Sequence, residues 1–198
     1  MKDKILEKSR ELFLNLGFKS VTMDDIASSL GVSKKTIYSH FRNKTALIEE
    51  VTSCVFDMIS SGIDLIHEQE KNPIRELFEI KGFVMMHLND EKSSPQYQLQ
   101  KYYPKIYASL KQKQFDVMQD CIKENLTRGV EQGFFRPIHI EFIARIYFNG
   151  MIGIKDKDLF PLQFFSMKEL MNYYLEYHLR GICTKKGTEQ LENQLKLK

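Results

Sequence analysis

The chain has 198 residues, 42% hydrophobic and 28% charged, a length and composition that suit one large or two small globular domains with a real core. Its first residues, MKDKILEKSRELF, are charged throughout and lack a signal-peptide core, and no apolar run is long enough to cross a bilayer. The three cysteines, Cys54, Cys121 and Cys183, lie far apart without zinc or CxxC spacing, so a soluble cytoplasmic protein with reduced thiols is expected. The net charge of +3 is uneven: residues 1–46 hold nine Lys/Arg against five Asp/Glu, and the remainder holds 20 against 21. That imbalance points to a polyanion contact at the N-terminal end.

A first helix is expected over residues 3–16, with Ile5, Leu6, Leu12, Phe13 and Leu16 as its apolar stripe. Gly17-Phe18 reads as a Schellman stop that folds Phe18 back near Phe13. Thr22 then stands three residues before Asp25, the spacing of a capping box, and Met23, Ile26, Ala27 and Leu30 recur at helical spacing. Gly31 suits the positive φ of a helix stop, Val32 plugs the turn, and Ser33 caps the next helix. In that helix Ile37 and Phe41 face inward, which leaves Lys34, Lys35, Tyr38, Ser39 and Arg42 mostly outward. Asn43 caps a further helix and places Lys44 in its first turn, a natural phosphate clamp.

Two short helices with a shared inner core and a cationic, hydrogen-bonding outer face form a helix-turn-helix, whose second helix enters the DNA major groove. An ordinary helical hairpin with a solvated basic face is the plain alternative. The coincidence of cap, glycine, turn, outward cations and terminal lysine favours DNA. Lys34, Lys35, Thr36, Tyr38 and Ser39 are the candidates for base edges, with Arg42 on the flank.

Thr22, Ile26, Ala27, Gly31, Val32, Ser33, the run Thr36-Ile37-Tyr38-Ser39-His40-Phe41, Lys44 and Leu47 resemble the signature of the TetR family of bacterial transcription regulators. The likeness is dense over residues 5–48. It implies that Thr22, Tyr38, His40 and Lys44 contact mainly phosphates. It also implies an N-terminal DNA-binding head joined by a fourth helix to a ligand-binding and dimerisation body.

That fourth helix is expected over residues 45–70, with Gly62 softening it. Asn72-Pro73 restarts a helix over 73–88, residues 89–94 form a polar loop, and Ser94-Pro95 opens a short helix that Pro104 interrupts. A long helix over 106–132 ends at Gly133. The phrase Gly133-Phe134-Phe135-Arg136-Pro137 resembles the turn before the penultimate helix of the family, with His139 where a cap is often Asp. Helices over 140–154 and 167–182 follow, the second opened by a Ser166/Glu169 capping box. The fold class expected is all-α, with about nine helices: a helix-turn-helix domain at 1–46, a ligand-binding and dimerisation domain at 47–184, and a polar tail at 185–198 carrying a short helix around Leu191 and Leu195.

The last two helices read either as an internal core or as a homodimer face. Gly150 and Gly153, which permit close helix approach, and Tyr147, Leu170, Tyr174 and Tyr177 favour the dimer, as does the family resemblance. Large soft residues (Phe56, Phe78, Phe83, Met86, Tyr97, Tyr103, Tyr107, Phe115, Met118 and Tyr147) suit either core packing or a cavity for an apolar or amphipathic effector. His67, His87, His139 and His178 are too scattered for a metal site, and no cofactor is expected. No acid–base pair, nucleophile–histidine spacing or phosphate loop suggests an enzyme. The reading is therefore a nucleoid-associated regulator, most simply a ligand-responsive repressor that binds a palindromic operator as a homodimer. A sequence-indifferent DNA-coating protein and an orphan regulator without an effector are the alternatives.

Overall fold

The computed structural model describes residues 1–69, 71–88, 94–161 and 163–196. They form ten helices, and the only sheet-like pairing among them is an isolated bridge between Phe135 and Cys183. The head comprises α1 (Lys2–Leu16), α2 (Met23–Leu30) and α3 (Lys34–His40). Ile5, Phe13, Ile26 and Ile37 are fully buried there, beside Leu47 and Ile48 from the first turns of α4 (Lys44–His67). Three short helices bury too little alone, so the start of α4 closes the head core.

The head core extends into the body. Leu99 of α6 (Pro95–Tyr102) is buried in the same cluster, and Tyr103, Ile106, Tyr107 and Leu110 pack against it. Gly17 is the corresponding joint on the head side. It was expected to end α1 in a Schellman motif, but its φ of 89° and ψ of 152° are not the left-handed helical conformation. The cause is tertiary: the Gln98 side chain lies 2.3 Å from where a Cβ would stand, and its Oε1 accepts from the Lys19 amide at 3.1 Å. Phe18 does fold back on Phe13, with ring centroids 5.2 Å apart.

Behind α4 the body adds α5 (Pro73–His87), α7 (Pro104–Glu131), α8 (Ile140–Gly153) and α9 (Met167–Ile182). Asn72 caps α5 through its side-chain oxygen, and Ser166 and Glu169 form the expected capping box on α9. His139 caps α8 with its Nδ1, which accepts from the Phe142 amide at 3.2 Å. Pro104 occupies the first position of α7, so that helix starts two residues before the expected one. Most of the loop expected at 89–94 lies outside the described residues.

One feature was not foreseen. Glu76 is fully buried at the start of α5, paired with Arg128 of α7 and accepting from Asn125 Nδ2 at 2.8 Å. His67, near the end of α4, stands 3.3 Å from the same carboxylate and 2.6 Å from Glu124. The far ends of three helices are tied there. The helix expected around Leu191 and Leu195 runs from Lys185 to Lys196 as α10, so most of the polar tail is helical. Leu191 is fully buried with Phe135, Leu175 and Leu179, and Leu195 packs against the same cluster.

Candidate nucleic-acid interface and internal cavity

The Thr22 hydroxyl accepts from the Asp25 amide at 3.1 Å, while the Asp25 carboxylate accepts from the Thr22 amide at 2.8 Å. The bond from the Thr22 amide, and after it one that the Thr22 hydroxyl donates to the same carboxylate oxygen at 2.8 Å, hold the Asp25 carboxyl below its ordinary value. Gly31 takes φ 64° and ψ 30°, which lets its amide and that of Val32 close α2 on Ser28 and Ala27. Ser33 caps α3 by accepting from the Thr36 amide at 3.1 Å. This short geometry rolls Ile37 and Phe41 into the core and leaves Lys34, Lys35, Ser39 and His40 exposed. Tyr38 is 44% exposed, unusual for so large a ring, and Thr36 is half-buried.

Some of these groups already have partners. Lys34 reaches back to Asp24 of α2 at 2.7 Å, a contact that raises its pKa; it is an exposed pair of little energetic weight and easily exchanged. The Ser39 hydroxyl donates to the Thr36 carbonyl at 2.8 Å. Lys44 stands at the first position of α4 and donates to the Lys19 carbonyl at 3.2 Å. Desolvation lowers its pKa, and the Asp25 charge partly restores it. The beginnings of α2 and α4, with Thr22 and Lys44, thus share one edge of the head. The contacts to Asp24 and Lys19 were not visible in the sequence, because each joins elements across a turn whose geometry had to be known first.

Inside the body lies a cavity of about 180 Å³ bounded by parts of α1, α4, α5, α6, α7, α8 and α9. Of the residues expected to line it, Phe56, Met118 and Tyr147 do so. The others serve elsewhere. Tyr103 and Tyr107 pack on the head core, and Met86 is 64% exposed. Phe115 meets Phe148 edge-on at 5.2 Å, and Phe83 lies against Gly62 and His87. Phe78 lies beneath the Lys81 ammonium, and Tyr97 beneath those of Lys101 and Lys157. The wall is chiefly aliphatic, from residues such as Val55, Ile59, Ile80 and Val84. Burial pushes the Cys121 thiol on this wall up to about 12 and the Tyr147 hydroxyl well above its usual range, as a dry environment would. The Thr52 hydroxyl lines the cavity without a hydrogen-bond partner.

Residues 5–51 match the family described as "Bacterial regulatory proteins, tetR family". Residues 5–51 thus carry the DNA-binding domain of that family. Among relatives, the biofilm operon icaADBC HTH-type negative transcriptional regulator IcaR of Staphylococcus aureus is 33% identical over 79 residues. That match covers 40% of this chain and only 42% of IcaR. The HTH-type transcriptional repressor KstR2 of Mycolicibacterium smegmatis is 25% identical over 194 residues, covering 94% of this chain and 92% of KstR2. A TetR-family regulator structure from Agrobacterium tumefaciens superposes with a TM-score of 0.72 at 19% identity, over 92% of this chain and 97% of that one. This last likeness carries the fold alone.

In the body the expected dimer residues divide. Tyr147 and Leu170 are buried in the chain's own core, so they offer no surface to a partner. Tyr174 packs its ring where a Cβ on Gly150 would stand, at 2.3 Å, and its hydroxyl donates to the Tyr147 carbonyl at 2.9 Å. The close approach that Gly150 permits is therefore within the chain. Gly153 has no atom near its missing Cβ, and Tyr177 is 78% exposed. Beside them the structure exposes Phe142, Ile146 and Tyr173. Among the described residues, no group of three or more His, Cys, Asp or Glu side chains gathers that could hold a metal, and no helix is long and apolar enough to cross a membrane.

Proposed function

We propose that the protein is a transcriptional repressor that binds a palindromic operator in the cytoplasm as a homodimer and releases it when a small apolar or amphipathic molecule enters the body. The observation that carries this reading is α3. Ile37 and Phe41 anchor it from inside, so Lys35, Tyr38, Ser39 and His40 face outward together. Lys34, Lys35, Thr36, Tyr38 and Ser39 supply base-edge contacts, and Thr22, Tyr38, His40 and Lys44 supply phosphate contacts that set register. IcaR and KstR2 are named as a negative regulator and a repressor, which supports repression over activation.

The cavity supports an effector-responsive protein. Phe13, Leu14 and Phe18 of the head form part of its wall, so an occupant presses on the DNA-binding unit directly as well as through α4. An effector releases DNA only if it binds the DNA-incompetent arrangement more tightly.

Footprinting over the neighbouring promoter regions tests the reading. A discrete palindrome with half-sites about 34–36 Å apart is expected. Tyr38→Ala is expected to abolish that footprint while the variant keeps its helical spectrum and assembly. Continuous coverage without a preferred site would instead identify a DNA-coating protein.

A further inference from the structure

Most of the cavity wall is hydrocarbon, and its charged groups are already occupied. Lys81 of α5 donates to the side-chain oxygen of Asn172 on α9 and sits over the Phe78 ring, and Lys155, just beyond α8, is engaged as well. Among the described residues no aspartate or glutamate lines the space. Gln96 and Gln114, which do line it, are hydrogen-bonded to each other at 3.3 Å. Thr52 of α4 is different. It is only 8% exposed, it lines the cavity, and its hydroxyl has no hydrogen-bond partner. A threonine within a helix commonly returns its hydroxyl to the carbonyl one turn back, as Thr127 of α7 does to Lys123 at 2.8 Å. Thr52 does not. Of the buried side-chain atoms left unpartnered among the described residues, its oxygen is the one on this wall. The position is also telling. Val51, its neighbour, is buried in the head cluster with Ile26 and Ile37, while Val55 and Ile59 continue the α4 wall away from the head.

We propose that the occupant is an uncharged, largely hydrocarbon ketone or ester, whose carbonyl oxygen accepts the Thr52 hydroxyl hydrogen while its hydrocarbon lies along α4 past Val55 and Ile59. The proposal rests on the effector-cavity reading above and gives it a chemical class. A buried hydroxyl left unbonded is costly, so a guest gains by supplying the acceptor that the fold itself does not. A carboxylate would have to shed its water and compete for lysines that already hold partners. An alcohol would bring a second hydroxyl hydrogen, and a single bond between the two hydroxyls leaves one of those hydrogens without an acceptor. A carbonyl brings an acceptor and no donor. Its bond would act on the same turns of α4 that carry Leu47, Ile48 and Val51 into the head core.

The test uses two guests of one shape, butyrophenone and butylbenzene, in which a carbonyl replaces a methylene. Each is titrated calorimetrically with the full-length protein and with its Thr52→Val and Thr52→Ser variants. Valine keeps the outline of the side chain and removes the hydroxyl. Thr52→Val is expected to weaken butyrophenone about tenfold, the scale of one buried hydrogen bond, and to leave butylbenzene within about twofold. Thr52→Ser keeps the hydroxyl and should move the two guests together. Because the hydroxyl has no partner within the chain, Thr52→Val is also expected to raise the urea midpoint of the ligand-free protein. A lowered midpoint would mean that the hydroxyl is bonded in solution, and the proposal would fall. Binding of butylbenzene without butyrophenone, or an equal effect of Thr52→Val on both, overturns the carbonyl contact while leaving an apolar effector cavity in place. If neither guest binds the parent protein, the effector reading falls with it. Gel-shift of the ligand-free protein on its operator judges DNA binding independently of either result.

Discussion

Lys44 occupies the first turn of α4 with its ammonium on the Lys19 carbonyl, already partly stripped of water. A cation so placed reaches a phosphate at little further desolvation cost, and it reads no base. Lys44→Ala is therefore expected to weaken binding to operator and random DNA alike, and to flatten the log–log salt dependence by about one unit per subunit contact. Gel-shift titrations at several salt concentrations check this, and an unchanged slope would remove Lys44 from the interface. His178 makes a different prediction, about stability. It is buried against Tyr147, with ring centroids 4.8 Å apart, and burial lowers its pKa from 6.5 to about 4. Between those values the unfolded chain carries a proton that the folded chain refuses. Its contribution is thus complete above about pH 6.5 and is lost as pH falls toward 4, on the order of 3 kcal/mol in all. Urea midpoints at pH 7 and pH 4.5 should show His178→Phe losing less stability on acidification than the parent.

At the scale of helices, the sequence was legible at most places where a bond closes within three or four residues, with Gly17 the exception because Gln98 packs against it. The Thr22/Asp25 and Ser166/Glu169 capping boxes, the Ser33 cap, the Asn72-Pro73 start and the Gly31 stop all formed as their spacing demanded. Partners tens of residues apart were not legible. The cluster that joins His67, Glu76, Asn125 and Arg128 unites three helices, and no local pattern marks it. The cavity was misread for a related reason. Aromatic side chains catch the eye in a sequence, yet Tyr103 and Tyr107 are spent joining body to head, while ordinary valines and isoleucines line the space. α10 shows how little sequence signal one anchor needs. Leu191 is completely buried in a helix that is otherwise mostly polar. Leu191→Ala is expected to cost about 2–5 kcal/mol, as for other leucines deleted from a closed core. A tail lying free in solvent would show no change in the urea midpoint.

The whole molecule has two apolar stripes that its own chain leaves uncovered. Phe142 and Ile146 lie one turn apart on α8 and lead toward the open Gly153; Tyr173 and Tyr177 lie one turn apart on α9 and lead toward the open Gly181. Phe142 is 58% exposed, and large apolar side chains stand exposed on both helices, the kind of surface that marks a contact site where it is contiguous. A twofold axis beside these stripes would cover both with copies of themselves, and it would present two α3 helices to one DNA. Near such an axis a new charge faces its own copy across a desolvated contact. Ile146→Asp is therefore expected to shift the protein from dimer to monomer at micromolar concentration in sedimentation equilibrium, with its helical spectrum unchanged. Operator affinity should fall with it, because each head then binds a half-site alone. Tyr147 and Leu170 give the contrast: buried inside one chain, they should change folding stability when truncated and leave the dimer constant of the surviving folded protein nearly unaltered. If Ile146→Asp remains a dimer of parental affinity, assembly uses another surface. The spacing of the two α3 helices would then have to be derived from that surface instead.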